Sequence, residues 1–184
     1  MNEAVIWIPY CGAAPVPGEL LARWNFDPAL LAILVLVLLA ALKSPGMDRR
    51  PLFAATALLA LLFLSPFCAL TSALFSARAV HHLALTAIAA PLFALALPVR
   101  RMPGGVVPWI ALHAVIFWAW HAPSAYEAAL SSHAVYWLMQ ASLFLTALAL
   151  WRAVRAVPMV SGIPALLATM VQMGLLGALL TFAG

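Results

Sequence analysis

Long apolar stretches, interrupted by proline, glycine and charged residues, make up most of this sequence. A bilayer core takes about twenty residues of α-helix, or fewer when flanking side chains snorkel to the interface. Cutting the chain at the interruptions predicts six spanning helices, at residues 28–42, 51–74, 79–97, 106–120, 133–151 and 163–182. The pattern therefore predicts an all-α integral membrane protein. Its six-helix transmembrane bundle forms one domain over residues 27–184, after a periplasmic N-terminal segment over residues 1–26.

Local signals refine these boundaries. Asp27 is placed to cap the first helix, with Pro28 in its first turn. Pro66 falls inside the second apolar stretch and should kink it. The connection 121–133, HAPSAYEAALSSH, has no Lys or Arg, and we interpret it as a short structured lid above the bundle. The N-terminus lacks the basic start and long apolar core of a cleaved signal peptide, so we expect the spanning segments to direct insertion.

The basic residues predict the orientation of the bundle. Two of them, Arg23 and Arg78, lie on one side of the predicted topology. The connections on the other side carry Lys43, Arg49, Arg50, Arg100, Arg101, Arg152 and Arg155. Because loops rich in Lys and Arg stay in the cytoplasm, both termini should be outside, on the periplasmic face of a bacterial inner (cytoplasmic) membrane.

Composition excludes several classes of protein. Apolar residues make up 67% of the chain and charged residues 8%, too few charges to cover a water-soluble surface. The net charge of +4 comes from loop arginines, so the partner it indicates is a lipid bilayer and not nucleic acid. The sequence shows no nucleophile–base–orienter set, no paired carboxylates and no phosphate-binding glycine loop, so we do not expect an enzyme.

The ionisable residues predicted within or beside the spans are mainly histidines, and such residues are candidates for function. All five are predicted in the outer half of the membrane or at its outer surface: His81, His82, His113, His121 and His133. Cys68 and Met173 could join them, and a set of imidazole, thiolate and thioether ligands suits copper, particularly Cu(I). Each residue also has a structural interpretation, as an interfacial or hydrogen-bonded histidine, a small buried cysteine or a packed methionine. Cys11 and Cys68 are not expected to form a disulfide framework.

Four stretches of the chain resemble the CtaG family of proteins linked to cytochrome c oxidase assembly. They are WNFDP at residues 24–28, SARAVHHLALTAIAAPLFALALP at 76–98, WHAPSAYEAALSSHAVYWLMQASLFLTALALW at 120–151 and MGLLGALLTFA at 173–183. The resemblance implies a membrane protein of the respiratory chain, a copper chaperone that supports copper insertion into a haem-copper oxidase. It also implies that His82, His121 and His133 match histidines of the family pattern, the second of them in a Trp-His-x-Pro motif.

The chain departs from the family pattern at three positions. Arg78, Gln140 and Gln172 stand where relatives commonly carry histidine, and amides are poor copper ligands. Relatives also usually continue past the position of Gly184 into a further helix.

Three functions follow from the sequence. The first is an assembly factor for a haem-copper cytochrome c oxidase, with His82, His121 and His133 as copper ligands and His113, His81, Cys68 and Met173 as secondary ones. The alternative is a structural accessory subunit of a larger respiratory or energy-transducing membrane complex that has lost metal binding. A third is a b-type haem protein, with His82 and His121 or His133 as axial ligands.

Overall fold

The computed structural model describes residues 9–182, apart from the side chain of residue 180. Its regular structure over this range is helical, and residues 1–8 of the predicted N-terminal segment lie outside the described residues, as do 183 and 184. A 3-10 helix, Pro17–Ala22, precedes the α-helices. These are α1 (Pro28–Lys43), α2 (Arg49–Leu64), α3 (Pro66–Ala73), α4 (Phe75–Ala96, with a π turn at Leu85–Ala89), α5 (Val107–His121), α6 (Pro123–Ser131), α7 (His133–Arg155) and α8 (Met159–Phe182).

Several helices are long and apolar enough to cross a membrane. Among residues 9–182, three meet this criterion alone, at Phe75–Ala96, His133–Arg155 and Met159–Leu179. The bent pair α2 and α3 would make a fourth span, and α1 and α5 are apolar but shorter. The protein is therefore an all-helical, multi-pass membrane protein.

The second predicted helix is broken, and the break lies where proline removes an N–H. α2 and α3 meet at an angle of 53° across Ser65 and Pro66, so the predicted kink is confirmed but separates two helices. The Ser65 hydroxyl accepts from the Phe67 N–H at 3.2 Å and so caps α3. Asn25 donates its backbone N–H to the Leu64 carbonyl at 2.8 Å, which satisfies a group left free at the end of α2.

Other helix ends also differ from the sequence prediction. The cap of α1 is confirmed, since Asp27 Oδ1 accepts from the Ala29 N–H at 2.8 Å. The connection 121–133 is the nine-residue helix α6, begun by Pro123. α4 and α8 start earlier than predicted, at Phe75 and Met159. The prediction placed each start by hydrophobicity, whereas the backbone hydrogen bonds of a helix can extend beyond its apolar stretch.

α4 contains a π turn whose cause is Pro91. Proline has no N–H and its ring clashes with the carbonyl four residues earlier, so the regular ladder cannot continue through this position. The Ala90 N–H bonds to the Leu85 carbonyl, which leaves the Thr86 carbonyl without a backbone donor. The Trp151 indole N–H fills this role at 3.0 Å and ties α7 to α4.

We therefore expect Trp151→Phe to destabilise the protein by about 1–3 kcal/mol, the cost of a buried carbonyl left without a donor. The measurement is thermal unfolding in detergent, made in the wild type and in a Pro91→Ala background. Pro91→Ala restores an N–H at position 91 and should reduce the loss. Equal losses in the two backgrounds would contradict this account of the π turn.

α7 is the central helix of the bundle and α8 is peripheral. α7 packs against α4, α5 and α6, and its Leu143 and Leu150 side chains are fully buried. α8 packs against α5 and α7, but only 22% of its most apolar window is buried inside the protein. Much of the surface of α8 is therefore left for lipid or for another protein.

The two ends of the bundle are held together differently. At the end that carries most of the basic residues, the Asp48 N–H donates to the Ala96 carbonyl at 3.0 Å, and Arg155 donates to the Ala94 and Leu97 carbonyls. At the other end, residues 9–27 form what we call the cap segment. It is joined to α3 by a disulfide between Cys11 and Cys68.

Tyr10 fixes the start of the cap segment. Its ring stacks on that of Tyr136 with centroids 5.0 Å apart, and its hydroxyl donates to the Asp27 carboxylate at 2.5 Å. Burial and this hydrogen bond raise the pKa of Tyr10 to about 12. The same hydrogen bond is the main cause that lowers the pKa of Asp27 below 3.8.

The attachment of the cap segment should therefore depend on pH at both extremes. The contribution of Asp27 is complete above its ordinary pKa of 3.8 and is lost as the pH falls through its lower folded-state pKa. The contribution of Tyr10 is complete below 10.0 and is lost as the pH rises through about 12. Amide exchange of residues 9–27, corrected for its intrinsic pH dependence, should accelerate in acid. A Tyr10→Phe variant with the same acid response would contradict the role of this bond.

Candidate functional site

A pocket of 290 Å³ lies between α4, α5, α6 and α8 and collects three of the predicted copper ligands. His82 of α4, His121 of α5 and Met173 of α8 line it, as do Arg78 and Tyr126. Most of the remaining lining is apolar. The pocket thus offers two nitrogen donors and one thioether in a largely apolar setting.

The two imidazoles are close and one of them has a fixed tautomer. The His82 and His121 ring centroids are 5.7 Å apart and the planes are inclined at 84°. His121 Nδ1 lies 2.7 Å from the Phe117 carbonyl oxygen, and a carbonyl only accepts, so Nδ1 carries the proton. Its Nε2 is then the free ligand atom, as in metal sites where the second ring nitrogen donates to the backbone.

Local structure explains how these residues meet. His82 lies in the last full turn before the π segment of α4, and its carbonyl accepts from the Thr86 hydroxyl at 2.8 Å. His121 is the last residue of α5. The Trp118 indole donates to Gln172 Oε1 at 2.7 Å, which fixes α8 against α5 next to Met173. Gln172 stands at a position where the resemblance implies histidine, and its hydrogen bond links α8 to α5.

Arg78 and Tyr126 shape the charge of the pocket. The Arg78 Nε donates to the Thr71 carbonyl at 3.0 Å, and its guanidinium carbon lies 4.9 Å from the centre of the Tyr126 ring. Burial raises the pKa of Tyr126, so its phenol is neutral. A fixed positive charge here repels a divalent ion about twice as strongly as a monovalent one, which favours Cu(I) among copper ions.

The other predicted histidines have different surroundings. His113 is 2% exposed, and its Nδ1 lies 2.9 Å from the Thr146 hydroxyl of α7. His133 is exposed at the start of α7, with its ring edge-on to Tyr10 at 5.5 Å. His81 is buried against the Phe63 ring at 4.8 Å. The structure brings His82, His121 and Met173 together in the 290 Å³ pocket and leaves these three outside its lining.

The prediction for the cysteines is wrong. Cys11 and Cys68 form a disulfide, with Cα atoms 5.3 Å apart, so the Cys68 sulfur is not a free thiolate ligand in this state. The sequence separation of 57 residues explains why spacing gave no sign of it, since the pairing depends on the cap segment folding back over α3.

A second, smaller cavity of 20 Å³ lies beside the pocket. Three buried polar atoms that lack a hydrogen-bond partner belong to residues that line it: His81 Nε2, Tyr126 Oη and Gln140 Oε1. Arg78 and His82 line both cavities. The sequence analysis did not predict that Arg78 and Tyr126 line the pocket. Two features of the sequence could have indicated them: a basic residue three positions before the histidine pair, and a tyrosine in the connection 121–133.

Within residues 9–182, no group of three or more His, Cys, Asp or Glu side chains is already placed to hold a metal ion. The pocket instead combines two histidines with a methionine. Such a donor set is soft and suits Cu(I) better than Zn²⁺ or hard cations.

Comparison with known proteins gives the family. Residues 44–184 match the model of the family described as cytochrome c oxidase caa3 assembly factor (Caa3_CtaG). No curated protein and no solved structure matches the chain. The match covers α2 to α8 and hence every residue that lines the 290 Å³ pocket. The family is one of assembly factors and not of enzymes. The chain belongs to the caa3-type cytochrome c oxidase assembly factor family.

Proposed function

We propose that this protein binds Cu(I) through His82, His121 and Met173 and supports copper insertion into a haem-copper cytochrome c oxidase. The family match gives the association with oxidase assembly. The observation that carries the copper role is the convergence of these three soft donors in one pocket, with the His121 tautomer fixed by the Phe117 carbonyl. Copper is here the cargo that the protein transfers.

The proposal includes a topology of six spans, with both termini on the outer face of the bacterial cytoplasmic membrane. The disulfide supports this orientation, because such bonds persist in oxidising compartments and this one lies at the end opposite the basic loops. α1 and α5 have 16 and 15 residues, about 24 and 22 Å of helix. They would span a core of about 30 Å through local thinning and snorkelling of flanking residues.

Restoration of oxidase activity tests the proposed function. A bacterium that lacks its own member of this family should regain a copper-loaded, active caa3 oxidase when it produces the wild-type protein. The His82→Ala/His121→Ala variant, present in its membranes at the same level, should yield oxidase depleted of copper. Full restoration of copper-loaded, active oxidase by this variant would contradict the proposed role in copper insertion.

The second candidate is a structural accessory subunit of a membrane complex. It is favoured by the exposed face of α8 and by the lack of a preassembled group of His, Cys, Asp or Glu ligands among residues 9–182. Co-purification with oxidase subunits at a fixed ratio, unchanged in the double histidine variant, would support this function over a transient chaperone.

A further inference from the structure

The Cys11–Cys68 disulfide lies next to a buried site for a soft ion. Cys68 is fully buried in α3, whereas Cys11 is partly exposed in the cap segment. Cys11 lines the 20 Å³ cavity together with His81 and His82. The covalent bond between the sulfurs also means that two thiolates, once formed, would start within reach of a single ion.

His81 supplies an independent sign of a ligand. Its side chain is 2% exposed, and its Nε2 has no hydrogen-bond partner within the described structure. A buried polar atom without a partner costs about 1–3 kcal/mol, so such atoms usually face a ligand or water. The volume of 20 Å³ is enough for one water molecule or one ion.

We propose that, when the disulfide is reduced, Cys11, Cys68 and His81 form a second Cu(I) site. This second proposal rests on the proposed function in one respect, namely that copper is the ion the protein carries. The site is distinct from the His82, His121 and Met173 site, and it exists only in the reduced protein.

The chemistry begins with thiol–disulfide exchange. A dithiol reductant on the outer face attacks Cys11, the more accessible sulfur, and Cys68 leaves as the thiolate. The second thiol of the reductant then releases Cys11, so the reductant is oxidised to a disulfide. Two electrons and two protons pass to the cysteines. Cu(I) binding displaces both protons, and the oxidation state of the copper does not change.

Charge favours this ligand set over imidazoles alone. Two thiolates and one Cu(I) carry a net charge of −1, and Arg78, which lines the 20 Å³ cavity together with Cys11 and His81, offsets it. Carboxylates are absent from the described lining of this cavity, so none competes for the guanidinium. Thiolates are also the side chains that select Cu(I) most strongly.

The two sites share a wall, which suggests how they would work together. His82 lines both the 20 Å³ cavity and the 290 Å³ pocket. An ion held by Cys11, Cys68 and His81 could therefore pass to His82 and His121 by replacing one ligand at a time, without crossing lipid. The reduced cysteines would load the histidine site.

Cu(I) titration of the full chain in detergent, without oxygen, tests the proposal. The protein is titrated in its oxidised form and after reduction with a phosphine that is then removed, in competition with a chromogenic Cu(I) chelator. Wild type should gain one equivalent of Cu(I) on reduction, with copper–sulfur bonding in its X-ray absorption spectrum. The Cys11→Ser/Cys68→Ser variant should gain none, and reduced His81→Ala should hold its extra ion at least about tenfold more weakly.

The outcomes separate this proposal from the proposed function. The His82→Ala/His121→Ala variant should bind no Cu(I) when oxidised and one equivalent when reduced. If reduced wild type has two titratable thiols but binds no additional Cu(I), the second site is overturned and the disulfide is only a cross-link. If the oxidised wild type binds no Cu(I) but the reduced wild type binds one equivalent, the histidine site is overturned and the cysteine site is supported.

Discussion

The His82→Ala and His121→Ala variants should each bind Cu(I) at least about 100-fold more weakly than the wild-type oxidised protein. Loss of an outer-shell partner alone typically costs 10–100-fold in metal affinity, and removal of a ligand should cost at least as much. The structure leaves few substitutes, because His113 lies outside the lining of the pocket and Cys68 is in the disulfide. The measurement is competition with a Cu(I) chelator in detergent.

His133→Ala is the matched control for this prediction. Family resemblance alone makes His133 an equal ligand, whereas the structure places it against Tyr10 and outside the pocket lining. Its substitution should leave Cu(I) affinity unchanged. A loss in His133→Ala as large as that in His82→Ala would contradict the proposed ligand set.

Removal of the disulfide should loosen the cap segment, so that it opens more often while remaining mainly closed. A cross-link over 57 residues typically contributes about 2–4 kcal/mol. In Cys11→Ser the lost stabilisation should appear as easier opening of residues 9–27, because the membrane holds the helices in place. The open population of the cap segment should then rise about 100-fold.

Trypsin can report this opening through Arg23, which the closed cap segment holds by a hydrogen bond to the Ala13 carbonyl at 2.9 Å. When opening is faster than cleavage, the rate follows the open population. Cleavage after Arg23 should accelerate in Cys11→Ser, and only when the protease is outside the cell membrane. The bond after Arg49 should be cut only from the inner face; Arg50 precedes Pro51, where trypsin does not cut. Cleavage at Arg23 from the inner face would reverse the proposed topology.

Sequence predicted the parts of the fold that depend on local chemistry. Asp27 caps α1 because a carboxylate before a proline-initiated helix can accept from free N–H groups. Pro66 breaks the second apolar stretch because it has no N–H to donate. The π turn has an equally local cause in Pro91. The indole that donates to its free Thr86 carbonyl belongs to Trp151, 65 residues from Thr86 in the sequence. The division into residues 1–26 and 27–184 stays a prediction.

Sequence predicted candidate donor residues, but not which of them the fold brings together. Histidines predicted at one end of the bundle indicated soft-metal ligation, which stays a prediction. Adjacent residues of a helix point about 100° apart, so His81 and His82 face different surroundings. Which of the two faces the pocket depends on where α5 and α8 pack, and that is set by contacts such as Trp118 to Gln172. The disulfide depends on a tertiary contact of the cap segment and left no trace in spacing.

The X-ray absorption spectrum of the oxidised protein loaded with Cu(I) tests the central claim most directly. It should show copper bound by two imidazole nitrogens and one thioether sulfur. The sulfur contribution should disappear in Met173→Leu, and copper itself should be lost in His82→Ala/His121→Ala. A spectrum without sulfur, or one that is unchanged in the double histidine variant, would contradict the claim that these three side chains form the copper site.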